Sequence, residues 1–227
     1  MVGRAVHTPL DAVVLAGGAA RRMGGVDKPG LEVAGRTLLE RVTDAVRAHN
    51  TGVAEAAGAP EAGPEGPAIK GRDGGPARET TERGRVIVVG PPRPSPRALY
   101  VREDPPGAGP VPALRTGLAH VRAPWFALLA ADLPHLEAAH LAALAAEADG
   151  AGAVFVDSGG HEQWLTGVWR TDAVRAALAR YRGRSLYGLL GPLGPRTVAP
   201  TDDLAVADCD TPDDLARARH LLDPPSF

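Results

Sequence analysis

The chain has almost no cysteine, almost no net charge and no long apolar run, and each shortage excludes something. Cys209 is the only cysteine among 227 residues, so no disulfide can form within the chain, and a reducing compartment fits. Lys and Arg number 25 against 27 Asp and Glu, a formal net charge of −2. A nucleic-acid or anionic-membrane partner would favour a basic surface, so neither is expected. No apolar stretch approaches the roughly 20 residues that span a bilayer, and residues 1–10 lack the apolar run of a signal peptide. A cytoplasmic, soluble protein is the expectation. The seven histidines show no zinc-ligand spacing, and no Ser-His-Asp arrangement suggests itself. What is present suffices for folding. Apolar residues make up 44%, and a chain this long can build one large domain whose core needs no disulfide or metal staple.

The apolar segments alternate in type. Residues 10–16 (LDAVVLA) are valine-rich and run into glycines, the pattern of a strand buried on both faces of a parallel sheet. Residues 17–30 read as a loop. Residues 36–49 then place Leu38, Leu39, Val42, Ala45 and Val46 at helical spacing. Further strands are expected over 85–90, 98–102, 125–130, 153–156 and 165–169; prolines crowd the second of these and put it near a sheet edge. Helices are expected over 111–121, 136–148, 172–181 and 211–222. The last has Thr211 as N-cap, Pro212 at the first position, and Asp213 and Asp214 in the first turn. This alternation predicts an α/β protein, a doubly wound three-layer α/β/α domain with a mostly parallel sheet. One interval breaks the pattern: 12 of the 34 residues over 51–84 are Gly or Pro. It reads as a mobile loop inserted into a single domain spanning 1–227, since doubling the length of a flexible loop costs only about 0.6 kcal/mol in closure entropy.

In doubly wound sheets ligands bind beyond the carboxyl ends of the strands, so the polar residues after each apolar run are the candidates for binding. The first strand is followed by Leu15-Ala16-Gly17-Gly18-Ala19-Ala20-Arg21-Arg22-Met23-Gly24-Gly25-Val26-Asp27-Lys28. Glycines let backbone N–H groups approach phosphate oxygens that a Cβ would hold off. Arg22 can bridge two phosphate oxygens, and Lys28 supplies a compact positive charge. One such charge pair at about 4 Å is worth about 4 kcal/mol before desolvation. The string is neither a Walker A loop nor the Rossmann glycine fingerprint, and two glycines alone would equally describe a tight strand-to-helix turn. The most apolar strand ends on Asp132 (AADLP, 130–134). An acid there needs a cation or a helix N-terminus to receive it. Mg²⁺ beside a triphosphate would serve, because it usually takes one or two protein carboxylates, and so would capping of the next helix. Over 208–215 (DCDTPDDL) an extended segment puts Asp208 and Asp210 on one side. Helix capping accounts for 211–214 but not for those two acids. Asp104, ahead of two prolines, is by composition a loop residue.

Taken whole, the string LAGG, three residues, RM, glycine, then Asp-Lys resembles the nucleotidyltransferases that share a Rossmann-like fold. Its LAGG form and GG-V-DK ending are most similar to the molybdenum cofactor guanylyltransferases (MobA-type). Relatives that use CTP or activate sugar phosphates more usually show LAAG. The resemblance covers nearly the whole chain except 51–84. It implies nucleotide binding by Leu15, Ala16, Gly17, Gly18, Arg22, Lys28, Asp104 and Asp132, with Arg22, Lys28 and Asp132 catalytic. It implies Mg²⁺ as cofactor, held by Asp132 and Asp210. The implied reaction is transfer of GMP from GTP to the phosphate of molybdopterin with release of pyrophosphate, and a protein that delivers or receives the molybdenum cofactor would be a further partner.

The chain also departs from the family pattern. Gly109 and Pro110 match a Gly-Pro-Leu-Ala-Gly motif, but Pro112 and Ala113 do not. Proline is tolerated in the first turn of a helix, so the backbone path should survive. Gly90 and Pro91 stand where the family commonly has asparagine, and Asp208 and Asp210 where it has Asn-x-Asn. Residues 161–165 fall where the family places a substrate-facing loop, which would bring His161 or Gln163 near the pterin. Arg182, Arg184 and Ser185 either meet a phosphate of the second substrate or form a solvated helix end. These departures leave two alternatives open. One is the same chemistry with another nucleotide or acceptor, either cytidylyl transfer to the molybdenum cofactor or sugar-phosphate activation. The other is a nucleotide-binding regulator without catalysis.

Overall fold

Apolar side chains at every position after Asp11 leave both faces of the first strand ready for burial, and the fold covers both. The computed structural model describes residues 6, 8–17, 26–57 and 84–223. Strand β1 (Asp11–Leu15) turns Val13 toward one helical layer and Ala12 and Val14 toward the other. It pairs in parallel with β4 (Val86–Val89) on one side and β6 (Trp125–Ala130) on the other. With β5 (Leu99–Val101), β7 (Gly152–Val156), β8 (Glu162–Arg170) and β9 (Arg196–Val198) these make a seven-stranded sheet of order β5-β4-β1-β6-β8-β7-β9. Only β8 runs against the rest. The sheet is therefore mostly parallel, and β5 lies at an edge as its flanking prolines predict.

Helices cover both faces. On one, Val13, Ile87 and Leu128 pack with Leu114 of α2 (Pro110–Leu118), Val174 and Leu178 of α4 (Thr171–Arg180), and Leu186 and Leu190 of α5 (Leu186–Leu190). On the other, Val14, Val88 and Leu129 meet Leu39, Val42 and Val46 of α1 (Leu38–Ala56) and Leu141 of α3 (Ala138–Glu147). Each such fully buried Leu or Val contributes about 1.5–3 kcal/mol. The last helix, α6 (Pro212–Leu222), carries the expected cap: Thr211 accepts from the Asp214 N–H at 3.2 Å while the Asp214 carboxylate accepts from the Thr211 N–H at 2.8 Å. Among the described residues no helix is long and apolar enough to cross a membrane.

Three local features differ from expectation. Residues 36–37 belong to a small hairpin, β2 (Glu32–Val33) with β3 (Arg36–Thr37), so α1 starts at Leu38, where Thr37 and Glu40 form a capping box. At its other end α1 runs on to Ala56, so residues 51–56 are helical and not part of the inserted loop; residues 58–83 lie outside the described residues. The continuation is anchored by buried Ala54 and by Asn50, whose side chain accepts from the Leu10 N–H at 2.8 Å and donates to the Leu10 carbonyl at 2.9 Å. Strand β9 and the short α5 carry too few residues for periodicity to declare them. At the amino ends of the strands, buried Asp11 accepts from the backbone N–H groups of Arg85 (2.7 Å), Arg122 (2.6 Å) and Ala123 (3.0 Å). One carboxylate thus ties together the starts of β1, β4 and β6, away from their functional ends.

Candidate active site

Chain order reverses at β1, whose sheet neighbours are β4 on one side and β6 on the other, and such a switch point opens a crevice at the carboxyl ends. The backbone there is pinned from both sides. Ala16 N–H donates to the Val89 carbonyl at 2.9 Å, and Ala131 N–H donates to the Leu15 carbonyl at 3.2 Å. Leu15, Ala16 and Gly17 therefore lead directly into the crevice. Gly18 and Arg22 lie outside the described residues. Gly90, at the end of β4, packs hard against this turn: a Cβ added there would stand 3.0 Å from both the Cβ and the carbonyl oxygen of Ala16. Where the family commonly carries asparagine, this chain has closed the space with backbone.

Across the crevice three residues far apart in sequence converge. Lys28 opens a short 3-10 turn, Lys28–Gly30, and its Nζ donates to Asp132 Oδ2 at 2.7 Å and to Asp210 Oδ1 at 2.6 Å. Burial works against the ammonium, but hydrogen bonds and charge from the two carboxylates outweigh it, and the Lys28 pKa is raised. The C-terminal segment reaches this place because the Cys209 N–H donates to the Asp132 carbonyl at 3.2 Å, while the Cys209 side chain is buried among Val33, Leu38 and Leu215. Burial, then the nearby Asp132 charge, pushes the Cys209 thiol up to about 11. The pKa of Asp208 is raised too, by burial and then by Asp210 and Asp132. Asp132 and Asp210 thus meet at the Lys28 ammonium. Among the described residues no group of three or more His, Cys, Asp or Glu side chains is placed to hold a metal.

Beside these contacts lie residues that the sequence pattern did not single out. Asp27 pairs through both carboxylate oxygens with Arg93 of the β4–β5 loop, and this hydrogen bonding lowers its pKa. The pair clamps the exit of the glycine-rich turn. After β5, Asp104 is exposed, whereas Glu103 is only 5% exposed. Glu103 Oε1 accepts from the Gly107 N–H at 2.8 Å and lies toward Gly17, where an added Cβ would stand 3.7 Å from it. A signal was available: Glu103 shares its side of an extended segment with Val101, which packs on the core.

A cavity of about 340 Å³ adjoins the Asp208 side, lined by Pro110, Leu133, Trp164, Thr166, Tyr187 and Asp208 among others. Trp164 stacks over buried Trp169 at 6.2 Å and meets Tyr187 edge-on at 5.9 Å; Tyr187 itself is 67% exposed. Gln163 also lines the cavity and donates to Asp157 at 2.8 Å, while exposed His161 stays with the same carboxylate at 3.3 Å. Arg182 donates to the Ala179 and Tyr181 carbonyls, and Ser185 caps α5 by accepting from the Gly188 N–H at 3.0 Å. These two residues form the helix-end arrangement.

Known proteins resemble this chain in sequence and in fold. The family model for the MobA-like NTP transferase domain matches residues 12–196. A molybdenum cofactor guanylyltransferase from a Bradyrhizobium species is 32% identical over 229 residues, covering 94% of this chain and 93% of that one. A protein of Natronomonas pharaonis named "Probable molybdenum cofactor guanylyltransferase" is 28% identical over 222 residues, covering 92% and 96%. Among solved structures, a nucleotidyl transferase from Methanothermobacter thermautotroptrophicus has the same fold, with a TM-score of 0.66 at 20% identity over 94% of this chain and 97% of that one.

Proposed function

The chain belongs to the MobA-like NTP transferase family and is a nucleotidyltransferase, and from that premise we propose that it moves GMP from GTP to the phosphate of molybdopterin, releasing pyrophosphate. The observation that carries the reading is the convergence of Lys28, Asp132 and Asp210 at the carboxyl edge of the sheet beside the glycine-rich turn. A triphosphate laid on that turn meets backbone N–H groups and the Lys28 ammonium, with Arg22 as a second cation from the turn. Asp132 and Asp210 are hard oxygen donors already held within hydrogen-bond reach of one cation, which fits the one or two carboxylates that Mg²⁺ takes from a protein. Mg²⁺ bound there would neutralise triphosphate charge and favour departure of pyrophosphate.

The protein's own groups supply position and field. Lys28, raised in pKa, keeps its proton and so remains a fixed positive charge beside the reacting phosphates. The acceptor's phosphate is itself an anion and needs no general base, so its oxygen attacks the α-phosphorus as the bond to pyrophosphate breaks. Alignment of the two substrates then accounts for most of the acceleration. The cavity beside Asp208, with Trp164 and Tyr187 on its wall, supports a flat heteroaromatic acceptor, because aromatic faces bind such rings by stacking. Cytoplasmic location suits both substrates.

Purified protein supplied with Mg²⁺, molybdopterin and GTP, CTP, ATP or UTP in turn tests this, with pyrophosphate release as the readout. Turnover is expected with GTP. Turnover with CTP alone would overturn the choice of nucleotide, and turnover with a sugar phosphate but not molybdopterin would overturn the choice of acceptor.

A further inference from the structure

Resting on the Lys28 site proposed above, we infer that Arg93 is a positioning residue for the transfer: through Asp27 it sets where Lys28 stands against the triphosphate. Both terminal nitrogens of Arg93 donate to the two carboxylate oxygens of Asp27, the residue immediately before Lys28. Two parallel bonds fix orientation as well as distance. Lys28 itself turns to Asp132 and Asp210. The two neighbours are thus held from the two sides of β1, Asp27 by the loop after β4 and Lys28 by the acid at the end of β6 and by the 208–210 segment.

The loop that presents Arg93 is itself braced. The Gly90 N–H donates to the Val101 carbonyl at 2.9 Å, and the Tyr100 hydroxyl donates to the Pro96 carbonyl at 2.8 Å. Arg47 of α1 donates to the Arg97 carbonyl, and Ser95 donates to Glu40, which also closes the capping box of α1. The far side of Lys28 is tied separately: the Leu31 N–H donates to the Lys28 carbonyl at 3.0 Å, and the Leu38 N–H donates to the Leu31 carbonyl at 2.9 Å. Arg93 supplies the side-chain anchor on the other side of Lys28, where the glycine-rich turn ends.

Gly30 shows how closely this corner is built. A Cβ added there would stand 2.6 Å from Asp27 Oδ2 and 3.1 Å from Arg93 Nη1, so the ion pair occupies the place of a side chain at residue 30. Folding alone gives little reason for such a fit. The Asp27 side chain is 58% exposed, and an ion pair open to water adds little to stability. The chemistry is more demanding, because a misplacement of about 1 Å in a group that bears on the reacting atoms can cost about 100-fold in rate.

Steady-state kinetics of the full chain with Mg²⁺, GTP and molybdopterin test the assignment, with melting temperature and Lys28→Ala measured alongside. Arg93→Ala should lower kcat about 10- to 100-fold and shift the melting temperature by less than about 4 °C. KM for the triphosphate should change less than kcat, because a charge placed for the departing pyrophosphate acts chiefly in the transition state. Asp27→Ala should lose as much as Arg93→Ala, and the double variant no more than either, because both act through one pair. Gly30→Ala, which pushes the pair aside without changing any charge, should lower kcat in the same direction. Arg93→Lys, which keeps the charge but not the fork, should recover part of the loss. Losses in the two single variants that multiply in the double variant would overturn the assignment. So would a loss in Arg93→Ala without one in Asp27→Ala, which would make Arg93 a direct phosphate contact, and so would a melting temperature that collapses in step with kcat. Near-normal kcat in Arg93→Ala beside an inactive Lys28→Ala would overturn the positioning role and spare the site, whereas normal turnover in Lys28→Ala would overturn both. Wild type that turns over CTP and not GTP would overturn the guanylyl reading alone, and the same variants are then compared with CTP.

Discussion

Lys28→Ala removes the cation that joins Asp132 and Asp210 across 104 and 182 residues of sequence. A buried charge-assisted hydrogen bond contributes about 1.5–3 kcal/mol. The Asp132 side chain is 20% exposed and the Asp210 side chain 41%, so the second contact is screened and contributes about 0.5–1 kcal/mol. The sum, about 2–4 kcal/mol, corresponds to about 4–16 °C in melting temperature for a domain of this size. Lys28 has a raised pKa in the folded state, so its contribution is complete below the unfolded value near 10.5 and is lost as pH rises through the folded value. Calorimetric melting of wild type and variant in EDTA should therefore show a constant gap over neutral and mildly alkaline pH that closes in strong alkali. Mg²⁺ should raise the variant's melting temperature more than the wild type's, because a divalent cation can take the place of the ammonium. Turnover should fall about 100-fold or more. Equal melting in EDTA together with near-normal turnover would refute both the ion-pair geometry and the site.

Other outcomes follow from the same structure. Asp11→Ala strips three backbone N–H groups of their acceptor at the amino ends of β1, β4 and β6, and should lower unfolding stability by about 3–5 kcal/mol in urea while leaving nucleotide affinity unchanged. A loss under about 1 kcal/mol would contradict the network. Cys209, with its thiol at about 11 instead of 9.0, should be alkylated by iodoacetamide at mildly alkaline pH about 100-fold more slowly than an ordinary thiol, from thiolate fraction alone, and quickly once denaturant is added. Rapid labelling of the native protein would show that the 208–210 segment does not seat as described.

The strand pattern and the caps were legible because their causes are short-range. Two-sided burial of residues 12–14 follows from the apolar run itself, and the Thr211 cap from residues within one turn. The end of α1 was not legible, because Gly52 and the alanines around it look loop-like until Asn50 is seen bonding to Leu10 and Ala54 is seen buried. In the site, Lys28, Asp132 and Asp210 could be nominated from motif resemblance, and so could Asp104. That the first three share a single contact depends on β6 lying beside β1 and on Cys209 bonding to Asp132.

The sequence by itself determined an α/β chain of alternating strands and helices, a glycine-rich turn after the first strand, and acids at the ends of others. Side-chain period, capping chemistry and glycine's freedom are properties of neighbouring residues. Only the tertiary structure decided the reversed direction of β8, the closure of Gly90 onto Ala16, and the burial of Glu103 in place of Asp104. A shift of one residue along an extended segment turns a side chain to the opposite face, and the register that chooses between the two is set by the sheet against which the segment packs.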